Sequence, residues 1–332
     1  MVSIKLANSQ TFDSLEGQTI LDSGRKQGVV LEHSCRTGRC GVCKVQVVRG
    51  ETRVETVEES LNETESNQGF ILTCCRSAVS DVELDTIDLG RLAHLKVQTL
   101  PARIDLLEKL ADDVLEVVLR TPPNSIFEFL PGQYIDVIGP GGIRRSYSVA
   151  NAPRHNGHIT LHIRKVLGGE MSAYWFEQAK QNDLLRFEGP LGTFCLRETP
   201  ATQLVLLATG TGIAPIKAIL EELQQDPEAC KFEQINLYWG GRYLHDLYWE
   251  PAFTQIPFTF VPVLSREPSW DGKAGYIQDA ALNDALQLES AVVYACGSTA
   301  MIHDAKSALL EAGLLACNFF SDAFVQSGGS DF

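Results

Sequence analysis

The chain has 332 residues, 44% of them hydrophobic and 21% charged, enough for two or three globular domains with ample apolar material for their cores. A formal net charge of -14 works against phosphate backbones and anionic lipid, so neither a nucleic-acid partner nor a membrane surface is expected. No apolar run approaches the roughly 20 residues of a membrane helix. Residues 1–17 have neither a basic nor an apolar leader region, so a cytoplasmic location is expected.

Three textures follow one another along the chain, with no internal repeat. Residues 2–6 alternate apolar and polar side chains and predict a strand. Residues 19–27 carry a helical apolar period that Gly28 is placed to end, and residues 44–48 alternate again before turning at Arg49-Gly50. Residues 1–92 are therefore expected to form a small strand-rich α+β unit, followed by a connector over 89–101 that Pro101 ends. Residues 97–199 show short strands at 114–119, 134–138, 145–149 and 159–166, punctuated by Gly and Pro, which suggests an antiparallel β-barrel. From 200 to 332 the apolar runs at 204–208, 235–239 and 291–295, with a helical stretch at 215–224, imply a parallel α/β sheet.

Nine cysteines are present, five of them at positions 35, 40, 43, 74 and 75. A secreted disulfide framework would be denser, so a metal-binding cluster in a reducing compartment is the better reading. Cys35, Cys40 and Cys43 have the C-x4-C-x2-C spacing of a plant-type [2Fe–2S] loop, with the fourth thiolate supplied from a distance. Two irons need four convergent thiolates, and Gly38 and Gly41 allow the loop to turn its backbone N–H groups toward sulfur. Zinc is the plainer alternative, but zinc sites usually pair two C-x2-C knuckles and only one occurs here. Cys74 and Cys75 compete for the fourth position. The Leu72-Thr73-Cys74 segment resembles the ferredoxin ending and favours Cys74, with Cys75 then expected to point to the opposite face.

Arg145-Ser146-Tyr147-Ser148 resembles the R-x-Y-[S/T] strand of the ferredoxin reductase flavin barrel. On an extended strand Arg145 and Tyr147 share a face and Ser148 takes the other. Such a strand suits a guanidinium on a flavin phosphate, a ring beside the isoalloxazine and a hydroxyl near its N5. His162 and Arg164 lie on what resembles the family's next strand, although for His162 alone a structural role is the plainer reading. Gly169, Met171 and Ser172 open a helix whose N-terminus is a candidate phosphate site. Residues 189–194 resemble the G-P-x-G-x-F turn that closes the barrel.

Gly210, Thr211, Gly212 and Pro215 follow an apolar strand and open a helix, the arrangement of a pyrophosphate cradle. The pattern is G-x-G-x-A-P, not G-x-G-x-x-G, and it too resembles the ferredoxin reductases. Cys296-Gly297 ends another apolar run and in that family sits near the nicotinamide, whereas a lone buried thiol is the plainer reading. Phe324, with Asp322 as the alternative, belongs to a segment that in the family lies over the flavin; capping of the sheet by the phenylalanines is the plainer reading. Arg242 either meets a 2′-phosphate or faces solvent, so NADH and NADPH both remain open.

Taken in order, the three blocks resemble the ferredoxin-plus-reductase electron-transfer components over essentially the whole chain. Residues 70–75, 144–153, 294–298 and 319–324 are similar to the CDP-6-deoxy-3,4-glucoseen reductases, which serve a pyridoxamine-phosphate dehydratase acting on a CDP-linked sugar. The resemblance implies an oxidoreductase holding FAD and a [2Fe–2S] cluster. It implies Cys35, Cys40, Cys43 and Cys74 as metal ligands, Ser148, Cys296 and Phe324 along the hydride path, and a protein acceptor that is a dehydratase or an oxygenase component. A stand-alone flavin reductase is a further alternative.

Overall fold

The computed structural model describes residues 2–154, 156–284 and 286–324. The backbone forms two compact units, one of residues 2–96, with which Ala323 and Phe324 group, and one of residues 97–322.

The first unit contains strands β1 (Val2–Leu6), β2 (Thr11–Ser14), β3 (Lys44–Arg49), β4 (Thr52–Val54), β5 (Phe70–Leu72), β6 (Arg76–Ala78) and β7 (Val82–Leu84), with helices α1 (Ile20–Lys26) and α2 (Glu63–Asn67). Five strands make a mixed sheet in the order β2-β1-β7-β3-β5, while β4 and β6 pair separately. Helix α1 starts where the Thr19 hydroxyl accepts the Asp22 N–H, and it carries Asp22 in its first turn and Arg25 and Lys26 in its last, matching the helix dipole at both ends. Its apolar side joins Ile4, Leu6, Phe12, Leu31, Leu72 and Leu84 in the core of the expected α+β unit, which is a β-grasp.

The second unit holds two sheets. In the first, β8 (Gln98–Ala111), β9 (Val114–Arg120), β10 (Tyr134–Ile138), β11 (Arg144–Ser148), β12 (His158–Arg164) and β13 (Leu184–Leu191) run in the order β11-β10-β13-β8-β9-β12, all antiparallel. The two end strands meet through a Val149–Leu161 bridge and an Ala150 N–H bonded to the Thr160 carbonyl at 2.7 Å, which closes the barrel. Ile104, Val117, Leu119, Ile135, Trp175 and Phe187 fill it. Pro101 does not end a connector; it lies inside β8. There β8 pairs only with β13, since its pairing with β9 begins at Arg103, so the missing proline N–H costs no ladder bond.

The second sheet comprises β14 (Gln203–Thr209), β15 (Gln234–Gly241), β16 (Phe258–Leu264), β17 (Lys273–Ala274), β18 (Ala291–Gly297) and β19 (Phe319–Ala323), in the order β17-β16-β15-β14-β18-β19. Strands β14 to β18 are parallel to their neighbours. Short α3 (Glu170–Ala173) belongs to the barrel, and α4 (Ile213–Gln225), α5 (Ile277–Asn283) and α6 (Thr299–Glu311) accompany the parallel sheet. The chain leaves β14 toward β15 and later returns on the other side as β18, so the sheet reverses its order between β14 and β18. Ligand crevices in open α/β sheets lie beyond the carboxyl ends of such strands. Among the described residues no helix is long and apolar enough to cross a membrane.

Phe187 is fully buried in the barrel and meets the Phe127 ring edge-on at 4.9 Å. Phe187→Ala is expected to cost about 3–5 kcal/mol of unfolding free energy, to be read by denaturant titration of the barrel's intrinsic fluorescence.

Candidate functional site

The first unit draws its thiols together on the loop between α1 and β3 and on the turn between β5 and β6. Cys43 Sγ lies 3.3 Å from Cys74 Sγ, and Cys35 and Cys40 hydrogen-bond to one another through their side chains. The Cys35 thiol is lowered to about 5, first by its bond to Cys40, whose own pKa is raised by the same contact and by burial. The Cys74 thiol is lowered to about 7, first by Cys43, which is raised in turn.

Backbone donors surround these sulfurs. The Thr37 N–H reaches Cys35 Sγ at 3.4 Å, and the N–H groups of Gly38 and Val42 serve Cys74 and Cys40. Gly38 adopts φ +79°, and a Cβ there would lie 2.3 Å from the Val57 carbonyl oxygen, so only glycine fits. Among the described residues no three His, Cys, Asp or Glu side chains converge as one ion's ligands. Two thiol pairs under backbone N–H groups instead suit a cluster of two irons with a pair on each, and do not suit a lone zinc.

Cys75 departs from expectation. Its sulfur does not point to the opposite face: it is 3.5 Å from Cys74 Sγ and 3.7 Å from the Val57 carbonyl oxygen, fully buried beside Gly38. Strand alternation does not apply, because residues 73–75 form a turn between β5 and β6.

In the barrel, β11 alternates as expected. Arg144 pairs with Glu188 at 2.9 Å, whereas Arg145 has no carboxylate partner among the described residues and donates to the Arg144 carbonyl. Tyr147 accepts a hydrogen bond from Trp175 Nε1 at 3.0 Å, and burial pushes its phenol up to about 12, so it stays neutral. Ser148 is 7% exposed and its hydroxyl bonds to no described protein group. An unpaired guanidinium, a fixed ring and a free hydroxyl on one strand are the groups a flavin and its phosphate would use.

The neighbouring positions are more committed. Gly169 caps α3, Met171 is buried in the barrel core, and the Ser172 hydroxyl accepts the Val166 N–H at 2.7 Å, so both side chains turn inward. Arg164 is paired with Asp113 at 2.8 Å and Asp246 at 3.6 Å. The His162 side chain is only 1% exposed, enclosed between Glu116 at 3.6 Å and the Tyr248 hydroxyl at 3.3 Å.

At the carboxyl ends of β14 and β18 the two chains nearly touch. A Cβ on Gly212 would fall 2.1 Å from the Cys296 carbonyl oxygen, so a side chain there would push α4 off the strand end. The Ser298 N–H reaches Thr209 Oγ1 at 3.4 Å, and Trp239 Nε1 donates to the Gly210 carbonyl at 3.1 Å. Thr211 is half-buried in the turn. Pro215 is the third residue of α4, where its missing N–H would have had no helical partner. The Gly210–Gly212 turn takes the Ile213 N–H and Pro215 has none, so α4 starts tightly wound at the reversal point. The Cys296 thiol is fully buried and pushed well up by burial first and Asp322 second, which holds it in its neutral form. Phe324 follows β19 directly and is 37% exposed. Arg242 is exposed, its N–H accepted by Asp246 at 2.7 Å.

Sequence reasoning passed over Lys217, Glu221 and Tyr248. The signal for the first was a lysine inside an otherwise apolar helical run with a glutamate four residues on.

Three family models match in chain order: a 2Fe-2S iron-sulfur cluster binding domain over residues 4–79, an oxidoreductase FAD-binding domain over 101–195 and an oxidoreductase NAD-binding domain over 206–307. The chain is 41% identical to the CDP-6-deoxy-L-threo-D-glycero-4-hexulose-3-dehydrase reductase of Yersinia pestis, covering 98% of this chain and 99% of that one. It is 32% identical to a terephthalate 1,2-dioxygenase reductase component of a Comamonas species, over 94% of each. The crystal structure of the Amycolatopsis cytochrome P450 reductase GcoB superposes with a TM-score of 0.77 at 29% identity, over 98% of this chain and 99% of that one.

Two outcomes follow from this geometry. Gly212→Ala is expected to raise the KM for NADH about tenfold or more, roughly 1.4 kcal/mol, with the visible spectrum of the protein unchanged; steady-state kinetics with an artificial acceptor read it. His162 is held below its ordinary 6.5, chiefly by burial and against the pull of Glu116. The folded chain therefore refuses a proton that the unfolded chain accepts, and stability falls as pH drops below about 6.5. Thermal melts from pH 7 to 5 should show a shallower loss in His162→Gln than in the parent.

Proposed function

The chain belongs to the ferredoxin-plus-reductase family of electron-transfer components, which carry electrons from NAD(P)H through FAD to a [2Fe–2S] cluster, and from that premise we propose that its acceptor is a dehydratase acting on a CDP-linked 6-deoxyhexulose. The observation that carries this acceptor is the 41% identity, over nearly the full length of both chains, to the hexulose-3-dehydrase reductase, against 32% to a dioxygenase reductase at similar coverage.

In this reading Cys35 and Cys40 hold one iron and Cys43 and Cys74 the other. Arg145 grips the flavin phosphate, Tyr147 shapes the floor under the ring system, and the free Ser148 hydroxyl meets the ring edge that receives hydride. The turn at Gly210, Thr211 and Gly212, with the first turn of α4 in which Pro215 is the third residue, takes the dinucleotide pyrophosphate beside the Arg164 guanidinium, which lies against Gly210. Cys296 and Gly297 border the nicotinamide, Cys296 as a neutral thiol that packs and does not react. His162 and Arg164 act through the fold around the flavin, and Gly169, Met171 and Ser172 shape the loop beside its phosphates. FAD, when bound, accepts hydride as an electron pair and releases electrons singly to the cluster, which is why a reductase of one-electron acceptors needs both groups.

An anaerobic assay combines the protein, NADH, the pyridoxamine-phosphate dehydratase and its CDP-sugar, and quantifies the 3-deoxy product. Product that requires this protein supports the assignment. Cys40→Ser is expected to keep NADH-driven bleaching of the flavin and to abolish product. Rapid cytochrome c reduction without any deoxysugar product would move the acceptor to an oxygenase component, the reading favoured by the full-length match to dioxygenase reductases.

A further inference from the structure

Helix α4 carries an ion pair on its inner side that neither cofactor reading uses. Lys217 is 9% exposed within a run, Ile213 to Leu220, in which every residue is buried. A buried ammonium is costly unless its protons are matched. Lys217 Nζ donates to the Ala150 carbonyl at 2.9 Å and to Glu221 Oε1 at 2.5 Å, and it lies 5.9 Å from the centre of the Trp249 ring. Glu221 offers its second oxygen to the barrel: the Ala152 N–H donates to Oε2 at 3.1 Å and Arg154 at 3.3 Å. Helical i,i+4 pairs usually serve their own helix. This one ties the helix to residues 150–154.

The segment it grips is rigid. Fully buried Asn151 accepts the Thr160 N–H at 2.6 Å and donates to the carbonyls of Ala152 at 2.7 Å and His158 at 3.2 Å, which pins the segment to β12. Ala150 stands two residues beyond Ser148. Lys217 stands about 6 Å along α4 from its first residue, whose seat on the Cys296 carbonyl is set by Gly212. The route from the Ser148 strand to the Gly210–Gly212 turn thus runs through one hydrogen-bonded contact and one helical turn, with no loop in between.

We propose that Lys217 and Glu221 are positioning residues, a latch that holds the flavin-side strand and the dinucleotide-side helix in hydride-transfer register without touching either cofactor. The inference rests on the flavin and nicotinamide sites assigned above. Hydride transfer requires reacting atoms held about 3–3.5 Å apart, and a misplacement of about 1 Å can cost on the order of 10²-fold in rate. Loss of the ammonium leaves the Ala150 carbonyl without its donor and Glu221 without its nearest cation, and frees the two sides to shift.

The test is anaerobic stopped-flow reduction of the FAD- and cluster-loaded protein by NADH. Lys217→Met is expected to lower the limiting rate of flavin reduction per bound FAD about tenfold or more, about 1.4 kcal/mol of barrel-to-helix register. The half-saturating NADH concentration and the FAD content should stay nearly as in the parent. Lys217→Arg, which still donates to both partners, should recover part of the rate. A pair that serves folding alone would lower the melting temperature yet leave the limiting rate per bound FAD unchanged, and that result overturns the latch. Glu221→Gln, which retains an acceptor for the Ala152 N–H, gives the same readout should Lys217→Met not fold. A parent protein whose flavin neither NADH nor NADPH reduces would instead overturn the assignment of the two cofactor sites.

Discussion

The closure of the barrel between β11 and β12 is the contact on which the second unit depends. The Val149–Leu161 bridge and the Ala150–Thr160 hydrogen bond bring together the two end strands of an antiparallel sheet, which would otherwise expose unpaired backbone. Closure sets Ser148 at the last position of its strand, leaves its hydroxyl free, and turns the Ala150 carbonyl outward to Lys217. One backbone contact therefore serves the wall of the flavin site and the anchor for the neighbouring helix.

The first unit is organised by the demands of sulfur. Thiols crowded at 3.3–3.5 Å in a core of Ile, Leu and Val are stabilised where backbone N–H groups point at them, and the loop reaches that conformation only because Gly38 has no side chain. Cys35 and Cys40 are half-buried while Cys43 and Cys74 are buried, so the pair on the loop's outer side lies nearer solvent. That asymmetry suits a group that must exchange electrons with another protein and still be kept from water on its inner side.

The polar groups in the interior of the second unit fall into two kinds. Tyr147 and Cys296 are kept neutral by burial, which leaves them as shape and dipole beside the proposed cofactors. Lys217 and Glu221 instead each meet a partner in another part of the same unit, Lys217 the Ala150 carbonyl and Glu221 the Ala152 N–H and Arg154. Buried charge that must be matched across two sheets penalises every other arrangement of those sheets, so it contributes orientation more than net stability.

Much of this was legible along the chain. Short strand patterns located four of the six barrel strands and apolar runs three of the six strands of the parallel sheet, the spacing of Cys35, Cys40 and Cys43 announced two irons, and the glycine turn at 210–212 after an apolar strand announced a dinucleotide cradle, because each of these is a local pattern dictated by backbone geometry. Pro101 misled, since a proline stops a strand only where its N–H is needed, and which neighbour a strand has at a given residue is not written locally. Cys75 misled for a related reason: alternation tells where a side chain points only while the chain is extended, and here it turns. The sequence by itself determined the cofactor classes and the order of the blocks. The tertiary structure alone decided the pairing of Cys43 with Cys74, the enclosure of His162, the commitment of Arg164 to Asp113 and Asp246, and the grip of Lys217 on Ala150, because each depends on residues from about 30 to nearly 90 positions apart, which only packing brings within hydrogen-bonding distance.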